Sequence, residues 1–553
     1  TSATQNMNHS LGMTWTNTAA YDWTCGKHAF NALVGMEVYR YSGTYLQAKT
    51  GALREGFDDW DHAYVGNGTA SSADDGMSVD GYPHDESRSV SYFGRFGWNW
   101  KETYMLNATL RADGSSKFAR GNRYGVFPSI SAGWTLSNEK FMQNTQNWLD
   151  YLKLRASWGQ VGNQNIDNYQ YTAPITSSNT HYIFGTTDGA PAQSGYWGAY
   201  PSRLANENVT WETSEQTNIG IDARFLKSRL SLTADFYIKT TKDWLVEAPI
   251  LATAGTGAPF INGGDVKNTG FELALTWNDQ AGKDFNYNIV NGAYNKNKVG
   301  NIPTEDGIIH GKINMLYDNT PEFYRAQNGH AIGYFWGYET AGIFQNKEQI
   351  ANWNADGKHG ILQADAQAGD VIYVDQNQDG IIDDNDKVDL GNGTPDFTYG
   401  FNVGFNYKNF DFSLVAYGAA GNQIVQSYRN HANSKANYTT AILNRWTGEG
   451  TSNRMPRVTD TNINWQFSDL YLQDGDYLRI SNITLGYDFA KLIKLKAISQ
   501  ARLYIQVQNA FTFTKYDGMD PEIGYGTSDW VSGIDLGYYP RPRTFLAGVN
   551  LKF

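Results

Sequence analysis

The 553-residue chain has a single cysteine, Cys25, which excludes an internal disulfide framework and any cysteine-rich zinc site. It has no unbroken apolar run of roughly 18 residues, so the sequence holds no candidate transmembrane helix. That absence leaves a β-barrel open, because barrel strands are short and apolar on one face only. Basic residues are outnumbered, 44 Lys and Arg against 56 Asp and Glu. The net charge of −12 argues against nucleic acid, which requires a basic footprint. The nine histidines show no HExxH or related spacing, and the carboxylates sit in no recognisable catalytic context. An enzyme is therefore not expected. Glycine-rich pieces such as 255–264 lie between strands rather than before a helix, which disfavours a phosphate cradle.

What is present is alternation. Between 88 and 136, Val90, Tyr92, Gly94, Phe96, Trp98 and Trp100 face one way, while Ser91, Phe93, Arg95, Gly97 and Asn99 face the other. The apolar face is aromatic and the opposite face carries Arg and Asn. Aromatics make up 14% of a chain whose mean hydropathy is only −0.53. A polar average with many Tyr and Trp fits an antiparallel transmembrane β-barrel with aromatic girdles, a polar lumen and large loops.

The pattern predicts about fifteen strands, near 11–23, 28–41, 88–100, 102–113, 125–137, 151–160, 215–226, 229–240, 268–278, 284–295, 396–407, 409–418, 476–488, 501–513 and 543–553. Short links (24–27, near 101, 227–228, 279–283, near 408) alternate with long loops (42–87, 161–214, 241–267, 296–395, 419–475, 514–542). Segments 138–150 and 489–500 take the short-side role. This is the asymmetry of periplasmic turns and extracellular loops. Strand parity puts Gly333–Phe344 inside a long loop, or makes it a pair of extra strands. Leu478 and Ile480 lead out of phase with Ile483, Leu485 and Tyr487, which predicts a bulge near Ser481–Asn482. An odd strand count should not close alone, so residues 1–553 read as the C-terminal part of a larger barrel.

The sharpest local motif is DQNQDGIIDDND, 375–386. Asp375, Asn377, Asp379, Asp383 and Asp386 stand where a calcium loop places its oxygen ligands, with Ile381 offering its carbonyl and Gly380 permitting the turn. Position 12 is Asp rather than the bidentate Glu, and no amphipathic helix flanks the loop. Structural Ca2+ bracing a long loop is the expectation; an acidic solvated turn is the plain alternative. The loops also carry aromatics, of which Tyr196, Trp197, Tyr200, Trp530 and Tyr538 are candidates for stacking on sugar rings, or for packing the loops themselves. Arg95, Arg111, Arg155, Asp222 and Glu272 are expected to line a charged lumen.

Five stretches give the chain a likeness: 106–142 (LNATLRADGSSKFARGNRYGVFPSISAGWTLSNEKFM), 152–164 (LKLRASWGQVGNQ), 268–278 (NTGFELALTWN), 474–489 (DGDYLRISNITLGYDF) and 539–553 (YPRPRTFLAGVNLKF). They resemble the SusC-like, TonB-dependent outer-membrane transporters. The resemblance implies a barrel of about 22 strands, a plug domain, a TonB-contacting segment and a SusD-like surface lipoprotein as a lid. The plug, the TonB segment and the first strands are not found in these residues. It also implies import of oligosaccharides or oligopeptides across the outer membrane, whose lipid surrounds the barrel. The alternatives are a siderophore or cobalamin receptor of similar architecture, or a calcium-stabilised surface adhesin without transport.

Overall fold

The computed structural model describes residues 2–57, 59–69, 76–177, 180–182, 186–187, 190–191, 196–248, 250, 252–280, 286–288, 291–318, 320–355, 362–431, 433, 435–493, 498–523 and 530–553. Among the described residues seventeen strand segments fall in one sheet. Two of them, Asp279–Gln280 and Asn286–Asn288, prolong a neighbouring hairpin, which leaves fifteen principal strands. These are β1 Ala3–Cys25, β2 His28–Thr50, β3 Ser78–Trp100, β4 Tyr104–Ser115, β5 Tyr124–Thr135, β6 Leu149–Asn163, β7 Glu212–Phe225 and β8 Leu230–Lys242. There follow β9 Asp265–Trp277, β10 Asn291–Gly300, β11 Phe397–Tyr407, β12 Phe410–Ala420, β13 Tyr477–Asp488, β14 Gln500–Thr514 and β15 Thr544–Lys552. Each overlaps a predicted stretch of alternation, though β10 runs Asn291–Gly300 where 284–295 is expected. Among the described residues no helix is long and apolar enough to cross a membrane.

The chain divides into two compact units. The first comprises Thr1–Ala132, Ser157–Gln216 and Thr241–Gly263. Within it β1 to β4 pair antiparallel in series, through Cys25↔His28, His28↔Trp100 and Trp100↔Tyr104. Tyr92, Phe96 and Leu110 stand exposed on one face, an arrangement suited to lipid rather than water. On the other face the Arg111 guanidinium donates to Asp113 at 2.8 Å and to Ser91 Oγ at 3.0 Å, and Arg95 reaches Asn31 at 3.4 Å. The first three strands run longer than alternation predicts. Ala3↔Thr50 pairing continues through Thr4, Gln5 and Asn6, where both faces are exposed and polar. Pairing without a buried face leaves no period in the sequence. A small apolar cluster forms where Phe118, Phe127, Ile166, Val209 and Trp211 meet, with Trp211 Nε1 donating to the Arg123 carbonyl at 2.9 Å.

The second unit comprises Gly133–Ala156, Thr217–Thr240 and Gly264–Phe553. Here β9 to β15 again pair in chain order. Tyr407↔Phe410 closes a two-residue turn in which Lys408 takes φ 55°. Ser481 is the bulged residue: the register slips on both sides of β13, and its hydroxyl donates to the Val415 carbonyl at 3.0 Å. Leu503, Ile505, Phe545, Val549 and Leu551 form an exposed apolar face. Opposite charges pair on the other side, Arg155 with Asp222 at 2.7 Å and Asp235 at 3.0 Å, and Arg502 with Asp411 at 2.7 Å.

Candidate functional site

The principal apolar core of the second unit lies in its loops. Ile308–His310, Tyr324–Gln327, Tyr334–Tyr338 and Lys387–Asn392 form a four-stranded sheet, and Thr340–Ile343 pairs with Val371–Tyr373. Gly333–Phe344 thus lies within the long loop, as two short strands of separate small sheets that add nothing to the barrel. Gln423–Gln426, Leu472–Asp474 and Ile534–Asp535 form a third small sheet. Phe323, Tyr324, Phe335, Val425, Phe467, Tyr471 and Ile534 are buried together between these pieces. Polar groups fix the packing. Asp318 accepts from the Tyr471 hydroxyl at 2.6 Å, from the His431 amide at 2.6 Å, and lies 2.7 Å from His431 Nδ1. Asp370 receives Arg457 Nε at 2.7 Å and Asn464 at 2.9 Å.

Burial pushes the phenol of Tyr334 up to about 12, and those of Tyr338, Tyr373 and Tyr471 well above the ordinary range. Asp318 beside the Tyr471 hydroxyl adds to the effect there. A folded-state value above the unfolded one, about 10 for tyrosine, adds stability that is fully present below pH 10. It is lost as the pH rises from about 10 through 12. The loop body is therefore expected to melt in that window. Tyrosinate absorbance should rise cooperatively with a red shift in tryptophan emission; a graded rise without it would count against the assignment.

Beside this core opens a cavity of about 740 Å³, lined among others by Arg429, Tyr438, Arg454, Trp465, Gln473 and Lys515. The sequence pattern gives no hint of it, because its walls come from the irregular 426–474 stretch, folded back on itself, with Lys515 and Asp517 added from another loop.

The 375–386 loop is closed on itself. Gly380 N donates to Asp375 Oδ2 at 3.0 Å, Asp379 N to Asn377 Oδ1 at 2.9 Å, and Ile381 N to Asp379 Oδ1 at 2.9 Å. Asp386 is fully buried and accepts from Gln376 N and Asp383 N, the latter as half of a capping box. Asp375 Oδ1 is buried without a hydrogen-bond partner. Among the described residues no three His, Cys, Asp or Glu side chains gather into a metal-holding group. The four aspartates of the motif, Asp375, Asp379, Asp383 and Asp386, therefore do not converge on one point in this arrangement.

The candidate stacking aromatics fall in both units, Tyr196, Trp197 and Tyr200 in the first and Trp530 and Tyr538 in the second. Trp530 packs on the loop core, its ring 4.8 Å from that of Tyr324. The Tyr538 amide donates to Asp535 Oδ1 at 3.2 Å. Tyr200 is 38% exposed on a short strand paired with Ile175–Thr176. The backbone of Tyr196–Trp197 pairs with His181–Tyr182, and the Tyr196 and Trp197 side chains lie outside the described residues.

The family described as "TonB dependent receptor-like, beta-barrel" matches residues 1–510. TonB-dependent receptor P3 of Formosa agariphila is 32% identical over 485 residues, 85% of this chain and 46% of that protein. TonB-dependent receptor SusC of Bacteroides thetaiotaomicron is 31% identical over 477 residues, 84% of this chain and 44% of that protein. The chain thus spans about half the length of the curated relatives it matches. Among solved structures, the RagAB peptide importer in its closed-closed state superposes with a TM-score of 0.77 at 24% identity. That match covers 100% of this chain and 56% of the other. These relatives are receptors and transporters rather than enzymes. With its strands in chain order and its match over 510 residues, the chain belongs to the TonB-dependent receptor β-barrel family of the outer membrane.

Proposed function

We propose that the protein imports oligosaccharides or oligopeptides across the outer membrane, driven by TonB and acting with a SusD-like surface lipoprotein. Residues 1–553 would supply the C-terminal part of the barrel, with the plug and the first strands contributed by sequence outside them. The observation that carries the reading is a packed loop body with a polar and aromatic cavity beside it, in a chain 31% identical to SusC over 477 residues. Such a body gives a lipoprotein lid a firm surface and gives solute a place to wait. The test is uptake of labelled oligosaccharide and oligopeptide by cells, with and without an uncoupler of the proton-motive force. Uptake should stop when the force is collapsed or the gene is deleted. Uptake that persists with the force collapsed would leave a passive pore.

The 375–386 loop is the proposed Ca2+ site, holding the ion through Asp375, Asn377, Asp379, Asp383, Asp386 and the Ile381 carbonyl. The unpartnered, buried Asp375 Oδ1 supports it, since a carboxylate oxygen out of water without a donor is costly unless a cation meets it. Ca2+ is expected to protect 346–395 from protease, and EDTA to reverse the protection. Asp379→Ala should raise the Ca2+ requirement about tenfold or more while the barrel still assembles. Loss of all assembly would show that the loop does more than brace its neighbours.

A further inference from the structure

We propose that the cavity of about 740 Å³ in the loops of the second unit binds an acidic oligosaccharide, a short sugar chain bearing carboxylate or sulfate groups. The inference rests on the importer reading for its biological setting and narrows its substrate class. Its centre is Arg429, which lines the cavity yet is only 9% exposed. Its guanidinium lies 3.6 Å from the Tyr438 ring centroid and donates to the carbonyls of Asn433 at 3.0 Å and Ala436 at 3.4 Å. Its Nε is buried with no partner. Among the described residues no carboxylate oxygen comes within 4.0 Å of its nitrogens. A buried cation held by two carbonyls and one ring face, without a counter-ion, is an expensive arrangement that an incoming anion relieves.

Two more cations share the lining, Arg454 and Lys515, both exposed and, among the described residues, both without an ion pair. The lining also holds two carboxylates, so three cations stand against two anions, each of which accepts from a neutral donor. Asp474 Oδ1 accepts the Asp476 amide at 3.0 Å and Asp517 Oδ1 accepts Gln426 Nε2 at 3.1 Å. His431 is turned to Asp318 and stacks on Trp465 at 3.5 Å. The rest of the wall suits sugar. Asn444 and the Ser452 hydroxyl offer polar groups to sugar hydroxyls, while Gln426 and Gln473 bond each other at 3.1 Å and brace that side of the wall; Tyr428 and Trp465 bring aromatic surface. Pockets of this size ordinarily hold a ligand of several rings. Arg429 would fix one acidic group at depth, with Arg454 and Lys515 gathering the chain.

The test is calorimetric titration of the protein purified from outer membranes. The four probes are tetragalacturonate, a sulfated galactan tetrasaccharide, maltotetraose and tetraglutamate. One of the two acidic sugars should bind at least about tenfold more tightly than maltotetraose, with an advantage that shrinks at high salt. Which of them binds names the acidic group. Arg454→Gln combined with Lys515→Gln should weaken binding about tenfold and flatten the salt dependence. Both residues are exposed, so this variant keeps the test meaningful even where Arg429→Gln fails to fold. Equal affinity for acidic and neutral sugars, no binding of either acidic sugar, or indifference to the double substitution would overturn the proposal. So would tetraglutamate binding as tightly as the acidic sugar, which would make the site a peptide site. Binding needs no TonB, so failure of the importer reading shows separately, as uptake indifferent to the proton-motive force.

Discussion

Arg479→Ala is expected to destabilise the protein by about 3–5 kcal/mol, the usual cost of removing one member of a buried ion pair. Arg479 leaves β13 only 2% exposed. Its guanidinium bonds Asp520, and its Nε stands 3.5 Å from Glu522. Glu522 in turn holds Arg541 at 3.0 Å and accepts the Tyr417 hydroxyl at 2.9 Å. One arginine therefore ties a barrel strand to the start and end of the loop that follows β14. Truncation leaves Asp520, itself 8% exposed, as a buried anion whose remaining donors are the amides of Glu522 and Arg541. Melting in detergent should fall, and trypsin should cut at the nearby Lys515 more readily than in the parent. Arg479→Leu paired with Asp520→Asn should recover much of the loss, because no orphaned charge remains. Unchanged melting and unchanged cleavage in the single variant would mean that the loop is held by other contacts.

The strands were legible because each carries its own evidence. Phe397 to Tyr407 alternates without a break, and the strand observed is Phe397–Tyr407. Even the irregularity at Ser481 announces itself as a slip of phase. Legibility ends where the lipid face ends. Thr4, Gln5 and Asn6 pair as regularly as the residues after them, yet nothing in their order says so, since neither face is buried. The loop body is harder still. Asp318 meets His431 across 113 positions and Tyr471 across 153, and local patterning carries no trace of such pairings. The candidate sites divide along the same line. The 375–386 loop is a contiguous motif and could be read from spacing. Arg429, Tyr438, Trp465 and Lys515 become neighbours only through the fold, so the cavity was invisible. Trp530 shows the converse: an aromatic residue in a loop, plausible as a sugar platform, whose ring packs against Tyr324.

Phe323→Ala should cost about 3–5 kcal/mol, the range for emptying a buried phenylalanine site, and the loss should fall on the loop body rather than on the barrel. Phe323 is fully buried, its ring 4.7 Å from that of Phe467 and 5.2 Å from that of Tyr324. The cluster it belongs to draws on the 308–338 sheet, the 419–475 loop and Val531–Ile534, so the site lies in a core shared by three segments. The vacated volume cannot close cheaply, because Phe335 and Tyr471 are pinned by sheet pairing and by Asp318. The strands β9 to β15 draw their stability from ladder hydrogen bonds and lipid contact, neither of which this substitution touches. The variant should therefore still insert and keep its heat-modifiable mobility on gels, while hydrogen exchange accelerates across 320–338 and 463–472. Phe323→Leu, which restores most of the volume, should give a small fraction of the effect. If the barrel unfolds together with the loops at the same temperature, the loop body is not a separate cooperative unit. In that event its contacts would have to be counted among those that hold the strands in register.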